Sequence, residues 1–163
     1  MSFVLHSRAR AWFGVHESRC FARTTDPASR ETAPRFLMFD AYYSCLLLGL
    51  DGARQGRSDS LESTVFLNGY PDSYKGQAEL IAGLLVEAEL RRQDIRPDDR
   101  ESIEGEMVRL LDLKSATRLS DLGDRLLNLY AAAGFEILDN AVPAPDNLED
   151  FLVAYHRLWG SDV

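Results

Sequence analysis

Most apolar positions of this chain fall into runs with the three-and-four spacing of helices, set apart by polar turns. Over residues 2–13 the spacing is loose, with Phe3, Val4, Ala9, Trp12 and Phe13 on a short predicted helix. A second helix is predicted over 34–50, opening at Pro34, where proline suits the first turn, and closing at Gly49 or Gly52. Apolar residues occupy its whole circumference, which predicts a helix enclosed in a core or an interface. Residues 61–67 fit a brief strand or a short helix, and the β-branched pair Thr64-Val65 tips the reading toward a strand.

The third helix is predicted over 73–93, capped by Asp72 or Ser73. Ala78, Ile81, Leu85 and Ala88 form its inner row, and Glu87, Glu89, Arg91 and Arg92 decorate its outside. Pro97 and Asp98 open a fourth helix with Ile103, Met107, Leu110 and Leu111 on one side. A fifth starts at a Ser120 cap and carries Leu122, Leu126, Leu129 and Tyr130, with Gly134 as its left-handed terminator. The last begins near Asp146 and Glu149, spaced like a capping box. Leu148, Phe151, Leu152, Tyr155, Leu158 and Trp159 then share a face. The expected fold is mainly α, a helical bundle or orthogonally packed helices. It has five or six helices and at most a short β piece near 63–68.

Length and composition change this picture little. With 163 residues, 45% apolar and 27% charged, one domain with a sizeable core is expected. Charge divides it. Residues 1–35 hold six arginines against three acids, while the whole chain carries a net charge of -8. The expected organisation is therefore a basic N-terminal arm or helix over 1–35 and an acidic helical domain over 36–163. Two cysteines do not make a disulfide framework, and Cys45 reads as a buried apolar residue, so a cytoplasmic location is expected. The longest apolar run, 36–50, is too short for a bilayer and contains Asp40, so no membrane association is expected.

Chemistry-bearing motifs are sparse. None of His6, His16 and His156 follows a glutamate by three residues, and neither a His-Glu-x-x-His nor a Cys-x-x-Cys motif occurs. The glycine-rich phosphate loops and the Gly-x-Ser-x-Gly elbow are also missing. No cofactor, no metal and no catalytic residue is expected. The nearest approach to an anion site is the loop 52–60, where Arg54, Arg57 and Ser58 lie among Gly52 and Gly56. A second candidate is the arginine-rich arm. Arg8, Arg10, Arg19, Arg23 and Arg35, with Trp12 interleaved, could grip phosphates and stack bases, or meet a partner. Phe151, Tyr155 and Trp159 on the terminal helix are candidate interface residues, since Tyr and Trp are favoured at contact hot spots.

The expected function follows from the greasy helical faces: a non-catalytic protein-interaction subunit, self-associating or part of a larger cytoplasmic assembly. The alternatives are an accessory nucleic-acid-binding factor and a binder of a small anion or phosphate ligand.

Overall fold

The computed structural model describes residues 2–14 and 36–160. Phe3 and Leu5 are buried and Val4 between them is half-buried, an alternation with the period of a strand. Ser2–Phe3 accordingly forms β1, and the helix expected over 2–13 shrinks to α1, Ala9–Trp12. The expected β piece is present as β2, Leu67–Asn68, which pairs antiparallel with β1, Phe3 opposite Leu67. His6 bridges Leu61 further along the same two segments.

The second predicted helix is α2, Met38–Asp51; Pro34 lies outside the described residues. The Asp40 carboxylate accepts from the Leu37 backbone N–H at 2.6 Å, which fastens the first turn. A 3-10 segment, Asp72–Gln77, replaces the first turn expected of the third helix, and α3 runs Ala78–Arg92 without a side-chain cap. Helix α4 spans Arg100–Leu110, where Asp99, not Pro97 or Asp98, makes the cap by accepting from the Ser102 N–H. Ser120 caps α5 as expected, accepting from the Gly123 N–H. In α6, Leu148–Gly160, the capping side chain is Asn147, which accepts from the Asp150 N–H at 2.8 Å.

Helix α5 runs Asp121–Ala141, straight through Gly134, so that glycine does not end it. It is instead where α5 meets α2, the pair with the most extensive contact in the fold. A Cβ built on Gly134 would stand 1.6 Å from the Cys45 carbonyl oxygen, and one on Gly49 would stand 1.9 Å from that of Tyr130. The two backbones touch, and only glycine fits at either point.

The protein is mainly α, with six α-helices and a two-stranded antiparallel sheet among the described residues. Its core extends through β1, α1, α2, α3 and α5 and includes Phe3, Tyr42, Leu46, Leu85, Tyr130 and Phe135. The all-round apolar α2 is largely enclosed by the chain itself, with Phe39, Tyr42, Cys45, Leu46, Leu48 and Leu50 all buried. Met38, Tyr43 and Leu47 of this helix stay half-buried. Asn128 locks the N-terminal strand to this core: its Oδ1 accepts from the Val4 N–H and the Tyr42 hydroxyl, and its Nδ2 donates to the Ser2 carbonyl. No helix among the described residues is long and apolar enough to cross a membrane.

Candidate functional site

In the loop 52–60 the Arg54 guanidinium bonds the Glu136 carboxylate at 3.0 Å, and Arg57 pairs with Asp59. Ser58 opens a short 3-10 turn. The glycine amides are spent inside the chain: the Gly52 N–H donates to the Leu48 carbonyl and the Gly56 N–H to that of Leu129. The absent Cβ of Gly56 lets this loop lie against α5, since an added one would come within 2.9 Å of Ala132 and Ala133. The loop is thus a packed connection whose cations already face carboxylates.

The arginine-rich arm is similarly engaged where it is described. Arg8 pairs with Asp139 at 2.6 Å and lies over the Phe135 ring, and Arg10 donates from Nε to both oxygens of Glu62. Trp12 is buried against Phe13, Phe135 and Phe151. Arg19, Arg23 and Arg35 lie outside the described residues. On α6 the three candidate contacts separate. Phe151 is buried, Tyr155 is half-buried with its hydroxyl donating to the Ser44 carbonyl, and Trp159 stays 40% exposed.

Among the described residues, one carboxylate and one imidazole sit deep in the fold. Glu89, expected on the outside of α3, has a fully buried side chain. Burial alone would raise its pKa. Hydrogen bonds from Arg92, Tyr130 and Gln55 outweigh that and hold the carboxyl at about 2. Arg109 of α4 and Gln93 complete the donor shell. Every direction around this carboxylate is taken, so it clasps four segments together and has no lone pair left for proton transfer. His6 is the other group. Its Nδ1 accepts from the Arg8 N–H at 3.1 Å, so the neutral ring carries its proton on Nε2, which faces Glu136 at 3.9 Å. Burial, then the Arg8 charge, lowers its pKa, against the opposing pull of Glu136 and Asp139. Cys45 is a buried free thiol whose pKa burial raises. Among the described residues, no group of three or more His, Cys, Asp or Glu side chains is placed to hold a metal ion.

Several large apolar side chains stand open. Leu113 is 78% exposed and Val108 81% exposed, with Leu80 and Met107 also exposed. An open groove of about 390 Å³ lies beside Leu113, lined by Glu79, Ala82 and Gly83 of α3 and by Leu111, Leu113 and Arg118 after α4. Leu152, Val153 and Trp159 are a second group of exposed apolar residues, on α6. The first patch escapes a search for helical periodicity. Its signal is two misplaced apolar residues: Val108 off the Ile103–Met107–Leu110 face of α4, and Leu113 inside the polar turn Asp112-Leu113-Lys114-Ser115.

No family model, no curated protein and no solved structure matches this chain.

Proposed function

We propose that this protein is a non-catalytic helical interaction subunit that works by associating with copies of itself. The observation that carries the reading is apolar surface left uncovered: Val108 and Leu113 stand almost fully in water, and Leu113 with Leu111 lines the open groove between α3 and the loop after α4. Scattered single apolar residues are ordinary on a surface; an exposed leucine at the wall of an open groove is what favours a contact site here. The enclosed state of Glu89 and the ion pairs at Arg8, Arg10, Arg54 and Arg57 favour this over acid–base chemistry, anion capture or phosphate binding. A cytoplasmic setting belongs to the same proposal and draws on the free thiol of Cys45.

Light scattering across a dilution series tests it. The expected mass at micromolar concentration is above that of the 18.3 kDa chain and falls on dilution. A constant 18.3 kDa, together with steeply salt-dependent capture of a labelled oligonucleotide, would replace this reading with the nucleic-acid one.

A further inference from the structure

We propose that Asn68-Gly69 is a site of spontaneous modification, where Asn68 converts to isoaspartate in the folded protein and thereby loosens β1. The inference is independent of the self-association reading. Asn-Gly occurs once in the chain, and the fold sets it at the open end of β2. Asn68 is exposed, and its Oδ1 accepts from the equally exposed Ser2 hydroxyl at 3.0 Å. Gly69 follows with φ 76, a backbone that glycine adopts freely, and nothing lies within 4 Å of the place a Cβ would take. Residue 69 thus brings no side chain, and nothing packed on that side, to hinder attack by its nitrogen on the Asn68 amide carbon.

The conversion needs water and no other reagent. The Gly69 nitrogen loses its proton to solvent base and bonds to the Asn68 Cγ. The Cγ–Nδ2 bond breaks, and that nitrogen takes up a proton and leaves as ammonia. A cyclic imide remains, and one water molecule opens it. Attack of water at Cγ gives aspartate. Attack at the former main-chain carbonyl gives isoaspartate, in which the chain runs through Cγ and the old carbonyl carbon has become a carboxylate.

The comparable residues are held back. Asp51-Gly52 has the atoms to close the same ring by losing water, but Asp51 ends α2 and the Gly52 N–H donates to the Leu48 carbonyl at 3.0 Å. Asn140 lies inside α5, where a helical backbone commits the next nitrogen to its ladder. Asn128 is buried, with its amide bonded to β1, Val4 and Tyr42. Asn147 spends both ends of its amide on the N–H and carboxylate of Asp150.

The fold gives the product a consequence. Isoaspartate adds one methylene to the chain between residues 68 and 69. On one side of it Leu67 pairs opposite Phe3. On the other, buried Tyr70 holds its ring 5.2 Å from that of Phe3 and 5.9 Å from that of Phe39. Both ends of the stretch 67–70 are fastened to the same residue, which leaves no slack for an added atom. A sheet of two residues per strand is the weaker attachment against a buried aromatic ring, so the Phe3–Leu67 pairing yields.

Ageing the folded full chain at mildly alkaline pH, followed by peptide mapping with mass spectrometry, tests the site. Conversion is expected at residue 68, with isoaspartyl product exceeding aspartyl, while Asn128, Asn140, Asn147 and Asp51 stay unchanged. Asn68→Gln, which must close a larger ring, is expected to show no conversion there. Amide exchange tests the consequence. In the isolated isoaspartyl chain the Phe66 amide, which donates to the Phe3 carbonyl at 3.0 Å, is expected to lose protection. Freshly prepared Asn68→Asp, with the charge but not the methylene, is expected to keep it. An Asn68 that survives ageing in the folded chain but converts in urea overturns the proposal, as does conversion spread evenly over all four asparagines. Full protection of Phe66 in the isoaspartyl chain, or equal loss in Asn68→Asp, overturns the loosening of β1 by the longer chain.

Discussion

Replacing Glu89 with glutamine keeps the shape of the side chain and removes the charge that α3, α4, α5 and the loop 52–60 share. The Tyr130 hydroxyl, 2.7 Å from Oε1, could still donate to the amide oxygen. Arg92 would lose its counter-charge, Arg109 would keep only Glu106, and the amide nitrogen would turn a donor toward donors. Two routes give the size of the loss. Removing one member of a buried ionic cluster typically costs about 3–5 kcal/mol. Arg92 and Arg109 reach partly into water, which places this site at the lower end of that range. Independently, a carboxyl held at about 2 against an ordinary value of 4.5 corresponds to about 3 kcal/mol of stabilisation. The sign follows from the direction of the shift: the folded pKa is depressed, so the stabilisation is complete above pH 4.5 and is lost as pH falls from there toward 2. Urea unfolding followed by circular dichroism, at concentrations low enough to keep the chain dissociated, would read both. The expected result is a loss of about 3 kcal/mol in Glu89→Gln at neutral pH and a flattened acid limb between pH 4.5 and 2. A loss under about 1 kcal/mol with an unchanged acid limb would refute the view that this carboxylate is a structural clasp.

Alanine at Gly134 or Gly49 is expected to destabilise the fold by about 3 kcal/mol or more, whereas Gly105→Ala, on an open face of α4, gains about 0.5–1 kcal/mol; thermal melts of the three variants check the opposite signs. His6 is surrounded by Arg8, Glu136, Asp139, the Arg54 that pairs with Glu136, and the Phe135 ring. Its lowered folded pKa means that stability complete above pH 6.5 declines as pH falls below 6.5, since protonation sets an N–H against the Arg8 N–H. Faster exchange of the Arg8 amide at pH 5.5 than the change in intrinsic rate explains would confirm it. Asn128→Ala is expected to cost about 2–3 kcal/mol and to expose the β1 segment to limited proteolysis, because the Val4 N–H, the Tyr42 hydroxyl and the Ser2 carbonyl all lose their partner.

Helix periodicity made α2, α3, α5 and α6 legible, and capping chemistry gave the start of α5 at Ser120 but not the caps of α3 or α6. Gly134 was open to two readings. A glycine followed by Phe135 after an apolar stretch has the pattern of a C-terminal cap, and the same residue serves a close helix crossing. Only the arrival of Cys45 and Gly49 from α2 decides between them, and that contact is not local in sequence. Glu89 carried a readable signal: it follows Ile81 and Leu85 at the same four-residue step, on the row that the fold buries completely. A carboxylate on such a row has to be paired inside, but its donors come from Gln55, Arg109 and Tyr130, far off along the chain. At the surface the limit is different. An apolar α2 reads as demanding a partner until the chain's own aromatic residues, Phe3, Phe66 and Tyr74 among them, are seen packed on it. The exposed Leu113 escaped notice because it stands alone in a polar turn.

Amide hydrogen exchange recorded on the full chain at two concentrations, one well above and one well below the association midpoint, examines the surface and its self-pairing together. Protection is expected to rise with concentration at residues 79–84 and 107–118, and to stay constant in the α2–α5 core. Identical exchange at both concentrations throughout those two segments would contradict the account.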